Sequence, residues 1–401
     1  MVGKWGLGIT PDYHPNSRGF DFYYGLPDSN NHGCSLEAGG TTDPNVCPRS
    51  WSDLPGYNGL HCYPCGSDIA SRDPAVPLFH NRIILEQPVN QTSLDFRYAE
   101  MAAKFIKHGS KPFLLYTGLT HMHAPLFHMP EFEGQSQSNS LYGDTLLEMD
   151  STIRTIVEAI KDSGEEENTL VWVVSDNGPD EGQCQFGGSP GPFLGVWQKT
   201  EGGGGSASKG TVFEAGHRVP SLVYWPGTIK GGQVSDSLAS TMDIYPTMAA
   251  LANIHLPDKR VYDGVDISEL LLGKSIPKRV LYHPKVYHAD GKPRCYLDAV
   301  RVGDYKAIFF TEGGRVDCEG DQGIIQSHSP PLIFNLEEDP MESSPIDPDS
   351  TLFRSVLQEV NQAMADIERS IQMDSTPIEE GEFNPCSDPC CNALNVVCRC
   401  E

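Results

Sequence analysis

Four short stretches gather side chains suited to charged chemistry. Asp176-Asn177-Gly178-Pro179 directly follows the apolar run Leu170 to Val174. A carboxylate beside a carboxamide offers hard oxygen ligands of the kind Ca²⁺ or Mg²⁺ takes. The same pair also makes the Asx turn that commonly ends a strand. Thr120-His121-Met122-His123-Ala124-Pro125 sets two histidines two residues apart, on one side of the chain if it is extended. Such a pair can bind metal, move a proton or hold an oxyanion, and is otherwise an ordinary surface pair. Lys209-Gly210-Thr211 opens a Gly-flanked segment running to Pro220, where a lysine can meet an anionic substrate or stay a solvated loop residue. Lys4 stands in Gly3-Lys4-Trp5-Gly6-Leu7-Gly8.

These residues need elements to hold them. Leu170 to Val174 is short and β-branched, and predicts a strand buried on both faces of a parallel sheet. Phe113 to Tyr116 predicts a second buried strand, ending just before the histidines. Leu94, Tyr98, Met101, Ala102, Phe105 and Ile106 recur at helical spacing and predict a helix from Ser93 to His108, stopped by Lys111-Pro112. Leu146, Met149, Ile153, Ile156, Val157 and Ile160 mark a second helix. This alternation predicts an α/β fold around a mostly parallel sheet flanked by helices. Both candidate sites then lie past the carboxyl ends of strands, where open α/β sheets keep their ligands.

Gly182 to Gly216, with four consecutive glycines from Gly202, predicts a mobile loop. Ser221 to Trp225 predicts another strand, and Asp243 to Ile254 a helix with Pro246 in its first turn. After Leu272 strands recur without alternating helices, at Val280 to Tyr282, Asp298 to Val302, Tyr305 to Phe310 and Pro331 to Leu336. A long amphipathic helix from Leu352 to Ile371 follows. The expected division is a catalytic domain over 1–272 and a smaller α+β domain of antiparallel strands and one long helix over 273–401.

The chain has 401 residues and a formal net charge of −25, from 29 Lys+Arg against 54 Asp+Glu. That balance argues against nucleic acid and anionic membranes as partners. No apolar run approaches the ~20 residues of a membrane span, and no signal peptide is recognisable. The 12 cysteines nevertheless suggest an oxidising compartment. Cys34, Cys47, Cys62 and Cys65 cluster in one loop-rich region, and Cys386, Cys390, Cys391, Cys398 and Cys400 in the tail, with Cys184, Cys295 and Cys318 between. Disulfides are expected, with one tail cysteine left over to reach Cys184, Cys295 or Cys318 or to stay free. Cys62-Tyr-Pro-Cys65 also leaves a zinc reading open. Asn90-Gln91-Thr92 is an N-glycosylation sequon.

In order along the chain, "GKWGLG", "GFDFYYGLPDSNNHG", "FLLYTGLTHMHAPLF", "VVSDNGP" and "KGTVFEAGHRVPSLVYWPG" resemble the sulfatase family. "YKAIFF", "PLIFNLEEDP" and the terminal cysteines narrow this toward arylsulfatase A and N-acetylgalactosamine-6-sulfatase. The resemblance implies an alkaline-phosphatase-like fold and calcium-assisted hydrolysis of sulfate esters on an aryl, lipid or glycan substrate. By it, Asp176 and Asn177 are two calcium ligands, Lys4 and Lys209 hold the sulfate oxygens, His123 contacts sulfate and helps protonate the leaving oxygen, and Ser29 lies near the sulfate. It also implies a lysosomal or secreted protein, and a homo-oligomer is compatible with it.

Two departures stand out. The family's nucleophile is a formylglycine made from the cysteine of a Cys-x-Pro-Ser-Arg motif, and none of the cysteines here is followed by those residues. The family places that motif and two further calcium-binding aspartates upstream of Lys4, so the chain is expected to begin after them. Gly6 stands where the family usually has the histidine that takes a proton in sulfate release, with His14 or a water as a substitute. An insertion over Val196 to Ser206 makes Lys199 a rival to Lys209. The competing readings are a non-catalytic binder of sulfated glycans and a phosphoester hydrolase of the wider superfamily.

Overall fold

The computed structural model describes residues 1–8, 12–30, 76–86, 89–289 and 292–373. The cysteine cluster from Cys34 to Cys65 and the tail from Cys386 lie outside these residues. The chain forms two compact units, one ending at Glu166 and the other beginning at Glu167.

The first unit is built on a five-stranded sheet. β1 (Val2–Gly3), β2 (Tyr24–Gly25), β3 (Leu78–His80), β4 (Ile83–Glu86) and β5 (Thr117–Gly118) run in the order β4-β3-β2-β1-β5. β1 is parallel to both β2 and β5, while β3 and β4 are antiparallel additions. The three parallel strands come very close at their glycines: a Cβ on Gly3 would lie 2.0 Å from the Gly118 carbonyl oxygen. Helix α1 (Leu94–His108) forms where the spacing predicts it and buries Leu94, Tyr98, Ala102 and Ile106. Of these, Leu94, Tyr98 and Ala102 share one core with Val2, Leu26, Leu78 and Val89.

Two expectations shift in this unit. The strand predicted at Phe113 to Tyr116 appears one step later, at Thr117–Gly118, and Leu114 and Tyr116 are 57% and 54% exposed. Alternation explains this: Leu115 packs on the core while its neighbours point the other way. Helix α2 (Leu141–Asp162) exists as predicted, but its amino-terminal half buries Asp144, Thr145, Glu148 and Thr152 and exposes Leu146 and Leu147.

In the second unit β6 (Val171–Val174) pairs antiparallel with β7 (Ser221–Tyr224). The expected parallel strand buried on both faces is therefore a half-buried strand with one partner among the described residues. Short helices α3 (Val196–Thr200) and α4 (Glu214–His217) follow, then α5 (Ile244–Leu251) and α6 (Ser268–Leu271). β8 (Val280–Ala289), β9 (Lys292–Val302), β10 (Tyr305–Glu312) and β11 (Ile325–Asn335) form an antiparallel sheet, followed by the long helix α7 (Thr351–Met373).

Neighbouring residues of that sheet face opposite ways, and each face is covered. Val300, Ala307 and Ile333 pack on Phe353, Val356 and Val360 of α7. Ala299, Ile308 and Phe334 pack on Trp197, Ala207, Val212 and Phe213. The Gly-rich segment expected to be a mobile loop is thus packed against the sheet, with Ser206, Ala207 and Ser208 buried.

Candidate active site

Parallel pairing places two of the four stretches, and the turn bearing Ser29, side by side in the first unit. Lys4 directly follows β1, and its amide donates to the Gly118 carbonyl at 2.7 Å, just past β5. On the other side, the Trp5 and Gly6 amides donate to Leu26 and Pro27, each at 3.0 Å, just past β2. Lys4, the Pro27–Ser29 turn and the Thr120–Pro125 turn therefore leave the carboxyl ends of three adjacent strands. Lys4 and His123 are half-buried. The Ser29 hydroxyl is buried and has no hydrogen-bond partner among the described residues.

His123 is held in a tight turn, its amide donating to the Thr120 carbonyl at 3.1 Å. Its Nδ1 lies 2.6 Å from the Ala124 carbonyl oxygen. A carbonyl only accepts, so Nδ1 carries a proton and Nε2 is the nitrogen whose protonation can change. Beneath it lies a charge cluster that periodicity did not reveal. His121 Nδ1 is 2.7 Å from Asp95 of α1, and its Nε2 is 2.9 Å from Glu148 of α2, with all three side chains at most 7% exposed. Asp95 also accepts the Thr120 and His121 amides at 3.4 and 3.3 Å, and Glu148 accepts the Met129 amide at 3.3 Å. Burial lowers the His121 pKa, but the two carboxylates outweigh it and push it up to about 9. An imidazolium charged at neutral pH thus pins the His123 turn to both helices. Its only sequence signal was a pair of carboxylates on the inward faces of α1 and α2.

The second unit brings Asp176, Asn177 and Lys209 together. The Asn177 amide donates to the Asp176 carboxylate at 2.9 Å, and its Nδ2 donates to the Gly178 carbonyl at 2.7 Å, closing a tight turn after β6. The Gly178 amide reaches the Gly216 carbonyl at 3.0 Å, and the Lys209 amide reaches the Pro179 carbonyl at 2.9 Å. Lys199 instead pairs with Glu181 at 3.1 Å, so the rival lysine is already engaged. Asp176 and Asn177 fit calcium in donor type. Calcium takes six to eight oxygens, and no three His, Cys, Asp or Glu side chains converge as a metal cluster among the described residues. Two residues alone do not make such a shell.

The Lys209 segment is anchored by buried charge. Lys306 of β10 is fully buried, 2.9 Å from Glu214 and 2.7 Å from Glu342, and donates to the Val212 carbonyl at 2.9 Å. Glu342 also accepts the Glu214 amide at 2.6 Å. Burial would raise the Glu214 pKa, but Lys306 and Arg301 hold it down to about 2. Cys184 and Cys318 form a disulfide.

Two further residues are settled in position. His14 is buried, stacked edge-on against Tyr23 at 5.3 Å, and its Nδ1 accepts the Asn16 amide at 3.2 Å, which makes it a structural cap. Asn90 Oδ1 accepts from the Ser93 amide and hydroxyl at 3.3 and 3.4 Å, at the start of α1.

The mixed, mostly parallel sheet and the separate antiparallel sheet are those of an α/β protein of the alkaline-phosphatase-like fold. The family model described as Sulfatase matches residues 1–254, and that of the C-terminal region of aryl-sulfatase matches 277–400. The chain belongs to the sulfatase family and is a sulfatase enzyme by that descent. It is 43% identical over 414 residues to arylsulfatase G of Canis lupus familiaris, covering 100% of this chain and 73% of that protein. It is 31% identical over 423 residues to arylsulfatase A of Homo sapiens, covering 100% and 76%. Among solved structures, the PsFucS1 sulfatase from Pseudoalteromonas sp. aligns with a TM-score of 0.73 at 25% identity, over 94% of this chain and 71% of that one.

Proposed function

We propose that the chain carries the sulfate-handling residues of a calcium-assisted sulfuric ester hydrolase acting on an aryl, lipid or glycan sulfate. The supporting observation is the emergence of Lys4, Ser29 and His123 from three adjacent parallel strands, matched by the hydrogen-bonded pairing of the Lys209 segment with the Asp176–Asn177 turn. Lys4 and Lys209 neutralise the sulfuryl oxygens, the Ser29 hydroxyl donates to one, and His123 Nε2 hands a proton to the leaving alcohol oxygen. Asp176 and Asn177 would hold Ca²⁺ together with further oxygens, and a cation there would offset negative charge on the sulfuryl group. Residues 1–272 serve as catalytic domain and 273–401 as C-terminal subdomain, in keeping with family matches that end at 254 and resume at 277. A lysosomal or secreted location fits the Cys184–Cys318 disulfide and the Asn90 sequon, with Asn90 as glycan acceptor.

The test is binding of inorganic sulfate by calorimetry, with and without Ca²⁺, and hydrolysis of an aryl sulfate by the chain alone and joined to a segment supplying formylglycine. Sulfate binding lost in Lys4→Ala and Lys209→Ala, with hydrolysis only in the joined protein, is the expected result. Preferential cleavage of a phosphate monoester would overturn it.

A second reading is a non-catalytic binder of sulfated glycans. It is favoured by Gly6, which offers no base. Unchanged sulfate binding with no turnover in the joined protein selects it.

A further inference from the structure

Beside the Lys209 segment, within the second unit, lies a cleft of ≈ 720 Å³ between the turn at Asp180–Gln183 and the β10–β11 connection. Its lining includes Asp180, Gln183, Glu312, Arg315 and Gln322, with Phe310 as an apolar wall. Both sides are fixed. The Cys184–Cys318 disulfide ties the turn to the connection, and Ser206 and Arg315 exchange backbone hydrogen bonds of 2.7 and 2.9 Å.

Arg315 lies across Gly210, the residue next to Lys209. A Cβ on Gly210 would lie 2.6 Å from Arg315 Nε and would displace the guanidinium, and φ +84° strains any side chain there. The guanidinium is exposed and makes no ion pair among the described residues, although Asp180 and Glu312 line the same cleft. Arg315 thus borders the residue that follows Lys209 in the chain, and the two cations differ in geometry. Lys209 is a point charge suited to a sulfuryl oxygen. Arg315 is a planar fork suited to two oxygens of a carboxylate or sulfate. The carboxylates and amides around it accept and donate to hydroxyl groups, and an aromatic wall suits the apolar face of a sugar ring.

We infer that this cleft receives the organic part of the substrate, and that Arg315 is a specificity residue reading a second anionic group on an acidic sugar. This rests on the reading of Lys209 as a sulfate-binding residue. The acidic neighbours matter to the choice: Asp180 and Glu312 oppose a densely anionic ligand and favour a hydroxyl-rich one with a single extra charge.

The test compares two probes by calorimetry on the protein: a methyl glycoside bearing one sulfate, and a disaccharide joining the same sulfated sugar to a uronate. The uronate-bearing probe binds roughly tenfold tighter or more, the value of a charge-assisted pair. Arg315→Ala removes that difference and leaves the monosulfate within twofold, which also shows the variant is folded. Arg315→Lys keeps only part of it. Arg354→Ala, an exposed change on α7, corrects for net charge and leaves the difference in place. Equal binding of the two probes, a difference that survives Arg315→Ala, or an equal loss for both probes would overturn the assignment. If the monosulfate fails to bind, or binds Lys209→Ala unchanged, the sulfatase reading of Lys209 fails and this assignment falls with it.

Discussion

The amide of Lys209 donates to the carbonyl of Pro179 at 2.9 Å, so the turn bearing Asp176 and Asn177 and the segment bearing Lys209 move as one piece. Lys199, ten residues earlier, spends its charge on Glu181. Lys209→Ala should therefore abolish measurable sulfate binding, while Lys199→Ala should leave it intact and cost under about 1 kcal/mol of stability. Calorimetry and denaturant unfolding of the two variants separate the roles, and equal loss of binding in both would restore the rivalry.

His121 contributes a pH signature. Its folded pKa of about 9 lies above the unfolded value, so its stabilisation is complete below about pH 6.5 and is lost as pH rises through 9. Over that window the protein should lose on the order of 3 kcal/mol from this group. His121→Gln removes the charge between two buried carboxylates and should cost about 3–5 kcal/mol at pH 6. In that variant the alkaline loss disappears. A wild-type unfolding curve flat from pH 6.5 to 9 would show that His121 is neutral.

Helical spacing sufficed to read α1, because its inward face is apolar apart from Asp95. The candidate site residues stand out in the sequence because apolar runs end shortly before Asp176 and the histidines. The inward face of α2 was not. Glu148 is buried because of His121, 27 residues away, and periodicity counts a buried carboxylate as a solvent-facing one. Lys306 was hidden likewise, as a charge in the middle of a strand whose partners lie 92 residues before it and at Glu342. The run of glycines misled for another reason: composition reports flexibility, and Trp197 and Phe213, which flank the run, decide the packing.

Gly6 bears on turnover. Nothing lies within 4 Å of a Cβ built there, so a larger side chain has room, but φ is +69°. Gly6→His should cost about 1–2 kcal/mol of backbone strain. In protein supplied with formylglycine, the Gly6 form should release one alcohol per enzyme in a burst and then turn over slowly. Gly6→His should speed the slow phase by about 10²–10⁴. His14 is no substitute base, being packed on Tyr23 and Phe79. Stopped-flow traces without a burst, alike in both forms, would mean that this position takes no part.

Non-reducing peptide mapping should recover a fragment linking Cys184 to Cys318. The bridge closes 134 residues, so Cys318→Ser should cost about 2–5 kcal/mol. Free thiols at both positions in protein purified without reductant would contradict the structure.

Because Val212 and Phe213 lean on Ala299, Ile308 and Phe334, the Lys209 segment lacks much of its hydrophobic support until β11 has been synthesised. A nonsense codon late in the reading frame, well past Lys209, would thus not leave behind a shorter working enzyme. It would leave a nascent chain with a bare apolar surface, a ready target for retention and degradation.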